Sequence, residues 1–302
     1  MLSIIIPSYN EEMNICNTAN VIDAVMKEHH IEYEAWFIDD GSNDQTYEKI
    51  VEAAGKNPHV HGAGFSRNFG KEACIFAGLG LAQGDCAVVM DCDLQHPPQV
   101  IAEMYRLWEQ GFEVVEGVKA SRGKESLVHR LMAGSFYRVI SKVSGIDMER
   151  SSDFKLLDRK VIDTLLTLKE RNTFFRALSF WVGFRSTTIE FEVAERAFGE
   201  TKWSFSRLAR YAVNNVSSFS AAPLYFSMIM GMLFTIGFVI LGVQTLVRYC
   251  SGYAVEGFTT VILLLLIIGA LLLLSIGIIG YYIARIYEEI KGRPRYIISR
   301  RI

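Results

Sequence analysis

The chain comprises 302 residues, of which 50% are hydrophobic, and it carries a formal net charge of −2 at pH 7. This length accommodates one sizeable α/β domain together with a smaller second part. The five cysteines show no C-x-x-C spacing, which argues against a zinc site and against a disulfide framework. The first residues, MLSIIIP, contain no basic leader and too short an apolar run for a signal peptide, so we expect no cleaved export signal.

Short β-rich runs alternate with helical patterns through the N-terminal part of the chain. The pattern predicts strands over residues 3–6, 35–38, 60–65, 87–90 and 114–118, and helices over residues 13–27, 45–54, 72–82 and 98–110. Such alternation is typical of right-handed βαβ units, so we expect an α/β fold with a mainly parallel sheet. Ligands of such sheets bind beyond the carboxyl ends of the strands.

A polar cluster follows each of three predicted strands. These clusters are Pro-Ser-Tyr-Asn-Glu at residues 7–11, Asp-Asp-Gly-Ser at 39–42 and Asp-Cys-Asp-Leu-Gln at 91–95. At a strand end, the spacing of Asp91 and Asp93 aims both carboxylates the same way, and Gln95 adds an amide. Such hard oxygens suit Mg²⁺ or Mn²⁺, so we expect these three residues to ligate a metal. A lone D-x-D motif is equally typical of a polar strand terminus, but three clusters at one sheet edge favour a site.

Beyond the fifth predicted strand the chain becomes basic. Residues 119–150 include Arg122 and Arg130 and predict a flexible loop, and an ordered pattern resumes at residue 151. Between residues 202 and 220, apolar positions recur at helical spacing opposite basic ones, which predicts a helix lying in a membrane interface. The alternative is an ordinary amphipathic helix packed on the domain.

Two long apolar stretches follow. Residues 222–247 and 258–284 are uncharged and exceed the ~20 residues that span a bilayer, so each predicts a transmembrane helix. Lys and Arg collect before the first stretch and after the second, which predicts that both termini are cytoplasmic. Glycines in both stretches would permit close helix contacts in a homo-oligomer, although glycine is common in such helices.

These segments divide the chain into four predicted parts. They are an α/β catalytic domain over residues 1–201, a juxtamembrane interfacial helix over 202–221, a hairpin of two transmembrane helices over 222–284, and a basic cytoplasmic tail over 285–302. We therefore expect an integral membrane protein with its catalytic domain in the cytoplasm.

Several motifs carry a resemblance to a known family. They are IIPSYNEE at residues 5–12, IDDGS at 38–42, SRNFGKE at 66–72, DCDLQHPP at 91–98, DFKLLDR at 153–159, and ER and GETKW between residues 195 and 203. Over nearly its whole length the chain resembles the family 2 glycosyltransferases of GT-A fold, and within them the polyprenyl-phosphate glycosyltransferases. The resemblance implies a Rossmann-like GT-A catalytic domain, a nucleotide-sugar donor, a divalent metal, a polyprenyl phosphate acceptor and a location in a bacterial inner or plasma membrane.

The resemblance assigns a set of residues to the donor. The ring of Tyr9 offers a surface for the base, while Glu11 and Asp40 can accept hydrogen bonds from ribose hydroxyls or a base N–H. Asn10 is expected to cap the following helix. The expected donor-binding residues are Pro7, Tyr9, Glu11, Asp39, Asp40, Lys71, Asp91, Arg196 and Lys202. For Lys71 the alternative is a surface charge at a helix start, and for the later basic residues it is contact with lipid headgroups.

The expected catalytic residues are Asp93, Arg122, Arg130 and Asp153. Related enzymes carry an acidic residue, proposed as the base, at the position of Asp153. A lipid monophosphate is already anionic at neutral pH because its second pKa is near ~6, so Asp153 is equally suited to orient the acceptor or balance a cation. The resemblance places Arg122 and Arg130 on the lipid phosphate or donor diphosphate, and lipid-facing arginines are the alternative.

Together these features predict a metal-dependent inverting transferase. It would move a sugar, glucose from UDP-glucose being the first choice, to undecaprenyl phosphate at the cytoplasmic face of the membrane, for modification of cell-envelope glycans. The alternatives are the same reaction with UDP-GlcNAc, UDP-galactose or GDP-mannose, or a non-catalytic membrane scaffold. A processive polysaccharide synthase would need a Q-x-x-R-W sequence, which residues 175–181 lack. No nucleic-acid partner is expected.

Overall fold

The structure is a computed structural model that describes residues 1–119, 152–168, 170, 174–192, 222–252 and 257–302. The chain divides into two compact units. The first, which we call the α/β unit, consists of Met1–Arg207 and Pro294–Ile302, and the second, the helical unit, consists of Leu208–Arg293. The predicted interfacial helix at residues 202–221 lies outside the described residues.

An eight-stranded mixed sheet forms the centre of the α/β unit. Its strands are β1 (Leu2–Ser8), β2 (Tyr33–Asp39), β3 (Val60–Phe65), β4 (Cys86–Val89), β5 (Val114–Lys119), β6 (Lys155–Asp158), β7 (Ser186–Phe191) and β8 (Ile298–Arg301). The order across the sheet is β7-β5-β6-β4-β1-β2-β3-β8. Strands β4, β1, β2 and β3 run parallel, which confirms the predicted α/β core, whereas β6 and β8 are antiparallel to their neighbours.

Six helices of the α/β unit lie within the described residues. They are α1 (Ile15–Glu28), α2 (Thr46–Lys56), α3 (Lys71–Leu81), α4 (Pro98–Glu109), α5 (Arg159–Thr167) and α6 (Phe175–Trp181). The ends of α1 to α4 differ from the predicted bounds by at most two residues. In α1 the buried residues Ile15, Ala19 and Ile22 share one face because they recur every three or four positions. Helix α3 packs closely on β1, since a Cβ at Gly78 would come 2.2 Å from Cγ2 of Ile5.

The sheet brings the three polar clusters to one edge. Ser8 at the end of β1 lies opposite Asp39 at the end of β2, and β4 pairs in parallel with the other side of β1. The residues that follow these three strands therefore leave the sheet at the same edge, as the sequence predicts. This edge is where the candidate site is built.

The helical unit contains two long helices, α7 (Ala222–Cys250) and α8 (Phe258–Ile290). Each is long and apolar enough to cross a membrane, because Ser227–Thr245 has a mean hydropathy of 1.9 and Ile267–Ile290 one of 2.3. Among the described residues of these two segments, none is buried. Exposed apolar helices of this length suit a bilayer, so both are candidate membrane spans.

The C-terminal residues differ from the predicted separate basic tail over residues 285–302. Helix α8 continues to Ile290, and Pro294–Ile302 belongs to the α/β unit. There β8 pairs antiparallel with β3, and Arg300 lies opposite Gly64. Charged side chains are common on edge strands, so the basic composition of this segment hides its strand character from a sequence pattern.

Candidate functional site

Two carboxylates and a lysine meet at the polar edge of the sheet. Lys71 begins α3, Asp91 follows β4, and Asp153 precedes β6. The Nζ atom of Lys71 lies 2.5 Å from Oδ1 of Asp91 and 2.8 Å from Oδ2 of Asp153. Lys71 therefore bridges two acidic residues from different parts of the chain, and three predicted site residues form one cluster.

Arg176 on α6 completes this cluster, although it is absent from the predicted set. Its Nε donates to Oδ1 of Asp153 at 2.6 Å and its Nη2 donates to Oδ2 at 3.1 Å, a bidentate arrangement. Buried Lys155 holds α6, because its Nζ donates to the carbonyl oxygen of Arg176 at 3.3 Å and to Oγ of Ser179 at 3.0 Å. Lys155 also pairs with Glu116 at 3.3 Å. No local pattern marks Arg176, since its partner Asp153 lies 23 positions away.

The cluster keeps both carboxylates ionised at neutral pH. Burial alone would raise the pKa of Asp153, but the charges of Lys71 and Arg176 outweigh it and hold that pKa well below its ordinary value. The pKa of Asp91 is lowered in the same way, because the charge of Lys71 outweighs burial. Burial opposes the charge of Lys71, yet the two carboxylates raise its pKa above the ordinary value. Asp153 consequently has little tendency to accept a proton.

Glu72, the next residue along α3, titrates differently. Burial, together with the nearby charge of Asp153, raises the pKa of Glu72 to about 7, although its Oε2 accepts the backbone N–H of Phe175 at 2.8 Å. A carboxyl group with this pKa is half protonated near neutral pH. Glu72 is absent from the predicted set because its raised pKa depends on burial and on the charge of Asp153, which no local motif encodes.

The predicted metal ligands occupy a tight loop after β4. Leu94 has φ +57°, and Oδ1 of Asp93 accepts the backbone N–H of Gln95 at 3.1 Å. His96 stabilises the start of the loop, since its Nδ1 accepts the backbone N–H of Asp91 at 3.2 Å. The side chains of Asp91, Asp93 and Gln95 are all partly exposed at the sheet edge.

This loop fits a hard divalent cation by the chemistry of its donors. It offers two carboxylates and one amide oxygen, which Mg²⁺ and Mn²⁺ accept. Within the described ranges, no group of three or more His, Cys, Asp and Glu side chains forms a metal site. A cation here would therefore depend on oxygens from a bound ligand, as Mg²⁺ does when it is held by one or two carboxylates and substrate phosphates.

Beyond β2 the predicted donor-binding carboxylates brace the backbone. Asp40 accepts hydrogen bonds from the N–H groups of Phe69 at 2.7 Å and Gly70 at 2.9 Å, and burial raises its pKa. Asp39 is 0% exposed, and its Oδ1 accepts the N–H of Ser42 at 3.0 Å. The Asp-Asp-Gly-Ser sequence thus shapes the loop at residues 39–42 and ties it to the loop before α3.

The loop after β1 presents the remaining predicted donor residues. Tyr9 is 42% exposed, Glu11 is partly buried, and Pro7 lies within β1. The prediction that Asn10 caps the first helix is wrong, because α1 begins five residues later. Asn10 has φ +55° instead, and its Oδ1 accepts the backbone N–H of Asn43 at 3.0 Å. This bond joins the loop after β1 to the loop after β2.

Four predicted site residues, Arg122, Arg130, Arg196 and Lys202, lie outside the described residues. Their contacts with phosphate stay predictions.

Solved structures share the architecture of the α/β unit. The chain is 14% identical to mannosyl-3-phosphoglycerate synthase from Rubrobacter xylanophilus, with a TM-score of 0.51 over 72% of each chain. It is 16% identical to glucosyl-3-phosphoglycerate synthase from Mycobacterium tuberculosis, with a TM-score of 0.52 over 72% of this chain and 78% of that one. The latter structure is a complex with Mn²⁺, UDP and phosphoglyceric acid. The fold is therefore GT-A-like, as the resemblance implies.

Sequence comparison defines the family. Residues 3–166 match the profile of glycosyl transferase family 2, and the chain belongs to this family. It is 39% identical over 301 residues to the putative glycosyltransferase CsbB of Bacillus subtilis, which covers 99% of this chain and 91% of that protein. It is 34% identical over 301 residues to the prophage bactoprenol glucosyl transferase homolog of Escherichia coli, with 99% and 98% covered. The protein is a glycosyltransferase.

Proposed function

We propose that this glycosyltransferase moves a sugar from a nucleoside diphosphate to a polyprenyl phosphate, with undecaprenyl phosphate as the acceptor. One observation carries the proposal: the Lys71–Asp153–Arg176 cluster lies beside the acidic loop after β4, in a chain with two candidate membrane spans. Cations beside a metal-type loop suit two phosphorylated substrates. The bactoprenol glucosyl transferases, which match this chain at 33–34% identity over 99% of its length, support a lipid acceptor.

The proposed donor-binding site consists of the three loops at the sheet edge. UDP-glucose is the donor we propose first, because the related enzymes are named glucosyl transferases. Asp91, Asp93 and Gln95 would hold Mg²⁺ or Mn²⁺. When bound, such a cation stabilises the negative charge that develops on the departing nucleotide. Tyr9 and Glu11 then face the nucleoside, and Asp39 and Asp40 keep the adjoining loops in shape.

Asp153 in this proposal is an orienting group. Its pKa lies below the ordinary range, and its oxygens accept hydrogen bonds from Lys71 and Arg176. A general base works best with a pKa near the operating pH, and a lipid phosphate with a second pKa near ~6 needs little deprotonation. Asp153 therefore holds two cations where an acceptor phosphate can reach them. Arg122, Arg130, Arg196 and Lys202 would add further phosphate contacts.

The topology we propose places the α/β unit and both termini in the cytoplasm. Strand β8 follows the helical unit and pairs with β3, so the chain must return to the side from which it left. Two membrane crossings satisfy this requirement. The excess of Lys and Arg outside the apolar segments supports the cytoplasmic side.

The decisive experiment is a transfer assay with the purified full-length protein. Undecaprenyl phosphate and Mg²⁺ or Mn²⁺ are incubated with radiolabelled UDP-glucose, UDP-GlcNAc, UDP-galactose and GDP-mannose in parallel, and lipid is then extracted. We expect label in the lipid from UDP-glucose, and none after chelation of the metal. Label from another donor would correct the sugar only. Metal-dependent nucleotide binding without any labelled lipid would contradict transfer to a polyprenyl phosphate and favour a non-catalytic scaffold.

A further inference from the structure

The C-terminal strand β8 places a positively charged side chain, Arg300, near the end of β2. Strand β8 lies at the edge of the sheet beside β3, and Arg300 lies opposite Gly64 in that pair. The guanidinium of Arg300 lies 4.0 Å from the centre of the Tyr47 ring, and its Nη1 lies 3.7 Å from a carboxylate oxygen of Glu48. These contacts fix the side chain over β3 and direct its other nitrogen toward the end of β2.

Asp39 is the residue that this nitrogen faces. Nη2 of Arg300 lies 3.9 Å from Oδ2 of Asp39, a carboxylate that is 0% exposed. Within the described part of the chain, Oδ2 of Asp39 is buried without a hydrogen-bond partner. A buried carboxylate oxygen without a donor is costly, and the guanidinium of Arg300 offsets part of this cost.

Space at Gly64 permits this arrangement. A Cβ at Gly64 would come 2.9 Å from Cδ2 of Tyr47, so a side chain there would displace the ring that the guanidinium of Arg300 contacts. The contact between the Tyr47 ring and the guanidinium therefore depends on a glycine in β3.

The position of Asp39 in the sheet places the Arg300–Asp39 pair near the nucleoside of a bound donor and away from its diphosphate. Asp39 ends β2, which lies two strands away from β4 and its acidic loop, a separation of about 10 Å in a sheet. An extended nucleoside diphosphate with its phosphates beside Asp91 and Asp93 would carry its nucleoside toward β2. Asp39 also anchors the loop at residues 39–42 through the N–H of Ser42.

We propose that Arg300 is a positioning residue for the donor, which acts through Asp39 on the loop that receives the nucleoside. The inference rests on the proposed function, because it needs a nucleotide-sugar donor at this edge. It assigns to the segment that follows the two membrane-type helices a part in donor affinity. A catalytic domain cut before these helices would lack Arg300 and the strand that carries it.

Arg301 supplies a matched control on the same strand. Its guanidinium lies 5.1 Å from the Trp36 ring and makes no described contact with Asp39. Arg300→Ala and Arg301→Ala each remove one positive charge and one cation–π contact from β8, but only the first removes the partner of Asp39. Arg300→Lys keeps the charge and loses the planar guanidinium.

The test measures transfer kinetics of the full-length protein with the donor that the wild type uses. For Arg300→Ala we expect the KM for the donor to rise about tenfold and kcat to change less than about twofold, with Arg300→Lys between it and the wild type. The inhibition constants of UMP and UDP should rise by the same factor, because the pair lies beside β2 and away from the diphosphate. Arg301→Ala should keep the wild-type KM.

Three outcomes would overturn the inference. They are an unchanged KM in Arg300→Ala, an equal rise in Arg301→Ala, and a loss of kcat without a rise in KM. Failure of the proposed function itself is recognised separately, since the wild type would then transfer no sugar to lipid from any of the donors.

Discussion

The two halves of the candidate site use their carboxylates in different ways. Asp153 is held by side-chain cations, with Lys71 at 2.8 Å and Arg176 at 2.6 Å. Asp40 is held by backbone N–H groups, those of Phe69 and Gly70. A cation on a long side chain can turn from a carboxylate to an incoming phosphate, whereas a backbone N–H is fixed by its loop. We infer that the Asp153 half takes part in the reaction and that the Asp40 half maintains shape.

The largest expected effect belongs to the loop after β4. We expect Asp93→Ala to reduce sugar transfer about 10³-fold, because it removes a hard oxygen from the proposed metal site and leaves the charge of the departing nucleotide less stabilised. Labelled lipid formed at saturating Mg²⁺ or Mn²⁺ is the measurement. The control is Asp163→Ala, since this carboxylate is 63% exposed on α5 and lies away from the sheet edge. Full metal-dependent activity in Asp93→Ala would show that the metal is held elsewhere.

A smaller loss is expected at the reactive half. Asp153→Asn should lower kcat about 10²-fold and leave UDP affinity within about twofold, because the neutral amide no longer holds Lys71 and Arg176 in place for the acceptor. Single-turnover transfer and calorimetric UDP binding separate the two quantities. Near-normal turnover would dismiss Asp153 as base and as orienting group alike.

Asp40→Asn is the matched change in the other half. The amide would face the N–H groups of Phe69 and Gly70 with one acceptor in place of two, so we expect a loss of about 1 to 3 kcal/mol in unfolding free energy. Its kcat should fall less than that of Asp153→Asn. If both variants lose turnover equally and stability equally, the distinction between a reactive half and a structural half is wrong.

The last prediction concerns Glu72 and depends on pH. Its pKa is 4.5 in the unfolded reference and about 7 in the fold, so between these values the folded protein binds more protons than the unfolded one. The unfolding free energy therefore falls as pH rises through this window, and the cost is complete above pH 7. We expect Glu72→Gln to be more stable than the wild type at pH 8, by at most the ~3 kcal/mol that this pKa difference corresponds to, and equally stable at pH 4.

Thermal unfolding of the two proteins in one detergent, at a series of pH values, measures this difference. Asp163→Asn serves as the exposed control, and its pH dependence should follow the wild type. Parallel curves for Glu72→Gln and the wild type would mean that Glu72 titrates normally in the fold.

Local sequence determined the parts of this protein that carry a local apolar pattern. Strands β1, β2 and β4 follow from short continuous apolar runs, because both of their faces are buried. Helices α1, α2 and α4 follow from the helical period of their buried face. The polar clusters after β1, β2 and β4 were predicted to share an edge, since parallel strands end on one side. The two long apolar stretches likewise follow from composition alone.

Only the tertiary structure decided which charges meet. Arg176 reaches Asp153 from a short helix, and β8 returns after the helical unit to place Arg300 beside Asp39. Asn10 does not cap the first helix as the sequence predicts, because its Oδ1 accepts the backbone N–H of Asn43 in a different loop. Ion pairs and edge-strand pairing depend on distances in space between residues far apart in the chain, and no local period records those distances.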